Sequence, residues 1–223
     1  MSESGGNLST GSALKLPLRA LGSWHGRVVH SRRVRTLAGR FATLLPPDHS
    51  VLDVGCGDGL IDAKVRERRR DLSIRGVDVR VRPSAQIEVT CFDGRHLPFP
   101  DQSFDSVLFC DVLHHTDAPV ALLKEAVRVA RHCILIKDHL VQGWLARPTL
   151  RFMDFIGNAP HGVVLPYNYL TSGQWDSALR ECRLTPRLVD RHLKLYPGWV
   201  DLWFGRSLHF IGIYDIDRPT AIS

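Results

Sequence analysis

Val51-Leu52-Asp53-Val54-Gly55-Cys56-Gly57-Asp58-Gly59-Leu60 decides how the rest of the chain is read. An apolar run holding one acid passes straight into alternating glycines, and a helical pattern follows. That is the outline of a buried parallel strand, a tight turn and a helix N-terminus. Glycine permits positive φ in so sharp a turn, and it lets a ligand approach bare backbone where no Cβ projects. The start of the helix adds N–H groups that have no intrahelical partner. The spacing is Gly-x-Gly-x-Gly, not the Gly-x-Gly-x-x-Gly of dinucleotide sites. Asp53 and Asp58 would repel a pyrophosphate, so a cationic ligand suits this loop better than an anionic one.

Working outward, Val34, Leu37, Ala38, Phe41 and Leu45 recur at helical spacing within residues 27–45, and Pro46-Pro47 stops that helix. Residues 1–12 are rich in Ser, Gly and Asn, and a more apolar stretch runs to Trp24. Residues 1–26 are therefore expected to form a flexible N-terminal segment or cap, and 27–223 a single domain. Downstream, Leu60, Ile61 and Val65 mark a helix ending near Arg70. Further strands are predicted over 73–78, 87–92, 106–110, 132–138, 184–190 and 208–214. Between the fourth and fifth, Asp117 is expected to cap a helix with Leu122, Leu123, Ala126, Val127 and Ala130 as its buried stripe. Thr171-Ser172-Gly173-Gln174 has capping-box spacing before a helix carrying Trp175, Ala178, Leu179 and Cys182. Seven strands alternating with helices predict an α/β fold with a mostly parallel sheet. In such sheets the ligand crevice lies at the carboxyl ends of the strands. Asp53, Gly55, Asp78, Asp93 and Asp111 all fall at such ends, and Asp78 can accept two hydrogen bonds from a ribose diol.

Composition narrows the classes. The 223 residues are 44% hydrophobic and 23% charged, ordinary for a globular protein. No apolar run approaches the ~20 residues of a membrane span. The first residues lack a basic segment followed by an apolar core, so no secretory signal is expected. Of the odd, scattered set Cys56, Cys91, Cys110, Cys133 and Cys182, four sit inside or beside apolar runs and read as small core residues of a reducing compartment, and the expected location is cytoplasmic. No Cys-x-x-Cys pair supports zinc, and no metal is expected. A net charge of +6 keeps nucleic acid in view as a partner. Its basic residues, however, concentrate at Arg32, Arg33, Arg35 and Arg40 and over 66–70, on predicted helices whose polar faces they would solvate.

The glycine stretch resembles motif I of the class I S-adenosyl-L-methionine (SAM)-dependent methyltransferases, close to the form VLDVGCGxG. Leu97-Pro98-Phe99-Pro100-Asp101-Gln102-Ser103-Phe104-Asp105 is similar to the LPFPDxSFD passage of that family, and Asp111-Val112-Leu113-His114-His115 stands where many small-molecule members carry xxxLHH. The resemblance implies a Rossmann-like seven-stranded sheet with an antiparallel last strand, helices on both faces and a lid inserted after strand 5. It implies SAM as cofactor, with the ammonium near Asp53, the ribose at Asp78 and the adenine near Asp93 and Gly94. The full implied contact set is Asp53, Gly55, Cys56, Gly57, Gly59, Asp78, Val79, Asp93, Gly94, Asp111 and Val112.

Methyl transfer from a sulfonium is an in-line displacement that mainly requires alignment of a nucleophile, with a base where the acceptor is protonated. His114, His115, His139 and His161 are the candidate bases. Residues 139–170 mix aromatics, amides, glycines and prolines, and the family places its acceptor lid here. His115, Asn158, His161, Tyr167 and Tyr169 are its candidate acceptor contacts, and their aromatic, partly polar character suits a small organic acceptor. Two other readings stand beside this one. An RNA methyltransferase would share the chemistry, although the fourth strand is not followed by the Asn/Asp-Pro-Pro-Tyr/Phe box of base-amine methylation. A non-catalytic SAM-binding partner would share only the fold.

Overall fold

The computed structural model describes residues 15–142, 146–151, 168–195 and 208–218, with side chains from His30 onward. Helix α1 (Lys15–Leu44) leads into β1 (Ser50–Val54), the glycine loop and α2 (Leu60–Arg68). Strands β2 (Ser73–Asp78), β3 (Val89–Cys91) and β4 (Phe104–Cys110) follow, then a 3₁₀ turn (Leu113–His115), α3 (Pro119–Val129) and β5 (Ala130–His139). Residues 146–151 are helical, and helix α4 (Ser172–Glu181) and strands β6 (Leu184–Asp190) and β7 (His209–Ile216) follow.

The strands form one sheet in the order β3-β2-β1-β4-β5-β7-β6. β1 pairs in parallel with β2 and β4, β2 with β3 and β4 with β5. β7 runs antiparallel between β5 and β6. This is the Rossmann-like sheet expected, antiparallel last strand included. The strand order reverses at β1, so the β1–β4 carboxyl edge is where a ligand crevice is expected.

Alternation along the central strands divides the core into two layers. Leu52, Val54, Val107, Phe109, Ile134 and Ile136 face α3 and α4, meeting Leu122, Leu123, Ala126, Trp175 and Ala178. Val51, Leu108, Cys133 and Leu135 face the other way, onto Leu37, Ala38, Phe41 and Leu45 of α1 and Val65 of α2. Leu37 and Phe41 are fully buried, each contributing about 1.5–3 kcal/mol of transfer free energy. The predicted stripe on α1 is therefore its core face. The capping box is formed: Thr171 N donates to Gln174 Oε1 at 2.9 Å, and Thr171 Oγ1 accepts from Gln174 N at 3.4 Å.

Several boundaries differ from expectation for identifiable reasons. α1 extends back to Lys15, through part of the segment expected to be a cap. α2 ends at Arg68, because the Arg69 guanidinium turns back to bond the carbonyls of Ala42 and Leu45, at 2.6 and 3.0 Å, and Asp71. β3 is shorter than residues 87–92. Gln86 N donates to the Asp58 carbonyl at 2.7 Å, which draws Ile87 out of the ladder and over the glycine loop. Asp117 does not cap α3: Ala118 holds the N-cap position and Pro119 follows it with no N–H to satisfy. Ala130 opens β5 rather than closing α3. Of the expected lid, His139 belongs to β5, while residues 143–145 and 152–167, including Asn158, His161 and Tyr167, lie outside the described residues. Among the described residues no helix is long and apolar enough to cross a membrane.

Candidate active site

The glycine loop leaves β1 and folds against the end of β2. Gly55 N and Cys56 N both donate to the Val77 carbonyl, at 2.7 and 3.2 Å, and Gly57 N donates to Asp78 Oδ2 at 2.9 Å. Gly57 (φ 64°) and Gly59 (φ 69°) are left-handed, yet they differ in what surrounds them. A Cβ on Gly59 would sit 2.4 Å from Ile87 Cγ1, whereas one on Gly57 would meet nothing closer than the Arg82 guanidinium, at 3.6 Å. Gly59 is thus a packing position, and Gly57 presents bare backbone to the cleft. Val112 packs against Gly55, and Val79 against Gly94.

Carboxyl groups gather around this loop. Asp53 is 3% exposed, and its Oδ1 has no hydrogen-bond partner. Asp62, in the first turn of α2, is completely buried, and neither of its oxygens has a partner other than the Asp53 carboxyl. Burial, then the neighbouring Asp62, pushes the Asp53 carboxyl well up. Asp62 is raised to about 6, chiefly by burial. The Cys56 thiol senses Asp53, Asp62 and Asp78 together, which puts all three acids about the loop. Asp62 is not among the site residues expected from the sequence. The available signal was an acid on the buried side of α2, one turn before Val65.

Asp78 turns both oxygens toward backbone, Oδ2 to Gly57 N and Oδ1 to Arg80 N at 3.0 Å. Asp93 is taken up by its own turn, accepting from Arg95 N, His96 N and His96 Nδ1 at 2.7, 2.7 and 2.8 Å. Those bonds, led by the one from His96 N, hold its carboxyl well below the usual range.

A second cluster lies beyond β4. Asp111 has φ 59° and forms ion pairs with Arg33 of α1 and Lys137 of β5. Burial would raise its carboxyl, but Lys137 and Arg33 outweigh burial and hold it well below the normal range. Lys137, 1% exposed, also lies 3.3 Å from His209 Nδ1. Beside this pair, the buried Asp138 carboxylate accepts from His114 Nδ1 at 2.6 Å, from Leu113 N at 3.0 Å and from His139 N at 2.7 Å. The charges and hydrogen bonds of His114 and His139 overcome burial and hold the Asp138 carboxyl well below the usual range. Burial, then the charges of His114 and Lys137 respectively, lowers His139 and His209. Tyr169, 3% exposed, stacks on His114 with centroids 5.5 Å apart, and the His115 ring lies 3.9 Å from that of His114. The returning chain closes this arrangement: Asn168 N donates to the His114 carbonyl at 3.1 Å, and Trp175 Nε1 to the His139 carbonyl at 3.0 Å. Of the four candidate bases, His114, His115 and His139 are therefore brought together.

Asp111, His114, Asp138 and His139 offer ligand atoms within 4.8 Å of one another. The donor set nevertheless fits a divalent cation poorly. Two cationic side chains already neutralise Asp111, and a metal would add two buried charges beside them. The acidic loop, in contrast, does fit the amino-acid end of SAM. It holds buried carboxylate oxygens without a donor and a glycine whose Cβ would project into the approach path.

Residues 52–133, from β1 into β5, match the family model described as "Methyltransferase domain". Over that stretch the chain is similar to a methyltransferase domain. One curated relative is 33% identical over 121 residues, the bifunctional methionine biosynthesis protein MetXA/MetW of Rhodopirellula baltica. The match takes in 44% of this chain and only 19% of that relative. Among solved structures, the methyltransferase fold is shared with a chain from the complex of the Haloferax volcanii Trm112 methyltransferase activator, at TM-score 0.64, 14% identity and 88% and 97% coverage of the two chains. It is shared with a geranyl diphosphate methyltransferase in complex with SAM, at TM-score 0.60, 14% identity and coverage of 82% and 85%. The [4+2]-cyclase SpnF has the same fold at TM-score 0.58, 16% identity and coverage of 84% and 81%. A cyclase among methyltransferase-like folds shows that the sheet alone does not choose the reaction.

Proposed function

We propose that this protein transfers a methyl group from SAM to a small organic acceptor in the cytoplasm, with the His114–Asp138 pair serving as general base. The observation that carries the reading is the meeting of two dissimilar sites at one sheet edge: an acidic, bare-backbone loop and a carboxylate-oriented imidazole. When bound, SAM supplies an activated methyl group on a cationic sulphur.

The chain's own residues divide the remaining work. Asp53 receives the ammonium and Arg82, lying against Gly57, the carboxylate of the amino-acid end. Asp78 meets the ribose hydroxyls, exchanging its bonds to loop N–H groups for them. Asp138 holds the Nδ1–H tautomer of His114, so that Nε2 is the atom that accepts a proton from an acceptor hydroxyl or amine. An ionised partner under the ring stabilises the imidazolium that results. Arg33 and Lys137 pin Asp111, which keeps a second carboxylate from competing for that proton.

The test is incubation of a metabolite extract with the protein and SAM labelled in its methyl group, followed by mass spectrometry. A labelled small molecule formed by wild type, and strongly reduced in Asp138→Asn, supports the reading. Label appearing only in added tRNA or rRNA, or no label with any acceptor, overturns it.

A further inference from the structure

Asp62 has no place in the reading above, and its setting is costly. Two carboxyl groups, Asp53 at the end of β1 and Asp62 at the start of α2, are buried within hydrogen-bonding reach of each other, and three of their four oxygens have no other partner. Among the described residues, no Lys, Arg or His forms an ion pair with either. Two ionised carboxylates cannot share so dry a site, so one of the pair keeps a proton.

Building on the proposed SAM site, we infer that Asp62 is the second carboxylate of the ammonium pocket, and that ligand binding exchanges the proton held by the Asp53–Asp62 pair for the ligand's ammonium. The exchange balances simply. The proton leaves to solvent, the ammonium with its three N–H donors takes its position, and both carboxylates end ionised. No covalent bond changes.

The surroundings favour that exchange. Asp58 and Asp78 face the pair from the loop and β2, and they attract a cation further. Arg82 lies across Gly57. Cys56 from the loop and Cys110 from β4 stand close, with Arg33 and Lys137 behind Cys110. Burial pushes both thiols up, so neither gives up a proton near neutrality. The pair is thus the group whose proton a cation would displace.

The experiment is calorimetric titration of the full chain with SAM, between pH 5.5 and 6.5, in two buffers of different ionisation enthalpy. More than a unit below ~7.7 the ligand's own α-amino group stays protonated and does not blur the count. Wild type is expected to release about one proton per SAM, so affinity rises about tenfold per pH unit. 5′-Methylthioadenosine, which lacks the ammonium, is expected to release none from the same protein. Asp62→Asn, with folding checked by circular dichroism, is expected to bind SAM without proton release and with a flat pH dependence. Wild-type binding of SAM without proton release overturns the exchange, as does release by Asp62→Asn equal to wild type. No SAM binding at all would instead overturn the functional reading on which it rests.

Discussion

Gly57 and Gly59 are two residues apart and share a left-handed backbone, yet replacing each by alanine is expected to damage different properties. A non-glycine residue in this conformation costs roughly 1–2 kcal/mol. Gly57→Ala adds little to that, since its Cβ would meet only the Arg82 guanidinium at 3.6 Å, an ordinary contact. Gly59→Ala places a Cβ 2.4 Å from Ile87 Cγ1 and 3.1 Å from its Cδ1, and Ile87 is 8% exposed and packed in the core. Overpacking of that kind costs a further ~1–3 kcal/mol. Gly59→Ala should therefore lose about 2–5 kcal/mol of stability, against about 1–2 for Gly57→Ala. At ~2–4 °C per kcal/mol for a chain of this size, thermal melting should read drops of about 4–20 and 2–8 °C. Repeating each melt with saturating SAM separates the roles. Ligand at a hundredfold excess over Kd stabilises by about 2.7 kcal/mol. Wild type and folded Gly59→Ala should show that gain, and Gly57→Ala, still more Gly57→Val, should not. Equal loss of stability in the two alanine variants, or an undiminished SAM shift in Gly57→Ala, would refute the assignment of one glycine to packing and the other to the ligand.

Three further outcomes follow from the second cluster. Asp138→Asn should lower turnover by about 10²–10⁴-fold while SAM affinity stays unchanged, and its pH–rate profile should lose the limb that reports His114; an unaltered rate would remove the dyad. Lys137→Met should destabilise by roughly 3 kcal/mol in urea unfolding, the low end for breaking a buried pair, because Arg33 remains on Asp111; a neutral effect would contradict the pairing. His209 is held neutral in the fold, its proton affinity lowered below the ordinary value of 6.5. The unfolded chain therefore binds the proton first, and stability present above pH 6.5 is lost as pH falls, by up to about 1.4 kcal/mol per unit. Melting of wild type and His209→Gln from pH 7.5 to 5 should show the steeper decline in wild type, and parallel curves would count against a buried neutral imidazole.

The sheet was legible because its strands carry the pattern that their environment demands. Apart from Asp53, Val51 to Val54, Val107 to Phe109 and Ile134 to Ile136 are apolar on both faces because helices cover both. The Gly-x-Gly-x-Gly turn fixed where the first strand ends, and from it the positions of Asp53 and Asp78 followed. Less visible was anything decided by tertiary hydrogen bonds. Gln86 bonding to the loop shortens β3, and Arg69 bonding to three helix-terminal carbonyls shortens α2; neither leaves a trace in periodicity. The Asp138–His114 pair spans 24 residues and requires the β4–β5 register to bring the two strand ends together. In the fold the Asp138 carboxylate accepts from His114 Nδ1 and from its neighbour's backbone, His139 N, and it also lies 3.4 Å from His139 Nδ1. Asp62 was hidden because an acid in the first turn of a helix is ordinary, and only burial makes it otherwise.

The two clusters differ in net charge, one acidic and one close to neutral, for a reason that the chemistry explains. Around the glycine loop, Asp53, Asp58, Asp62 and Asp78 outnumber Arg82, the positive group lying against it. Beyond β4, Asp111 and Asp138 are matched by Arg33 and Lys137, so that half is close to neutral. Under the proposed reading, methyl transfer to a neutral acceptor moves positive charge off sulphur and onto the acceptor. Acids placed against the sulphur would stabilise the ground state more than the transition state and so slow the step. Acids placed at the ammonium end hold a charge that does not change during the reaction. They contribute binding without taxing the chemistry, while Asp138, near the acceptor, acts through His114 on the proton that the acceptor must lose. Moving a carboxylate across that divide, for example with Val112→Asp beside Gly55, should therefore tighten SAM binding and slow turnover together. A variant with tighter binding and unchanged or faster turnover would show that the division of charge has nothing to do with the step.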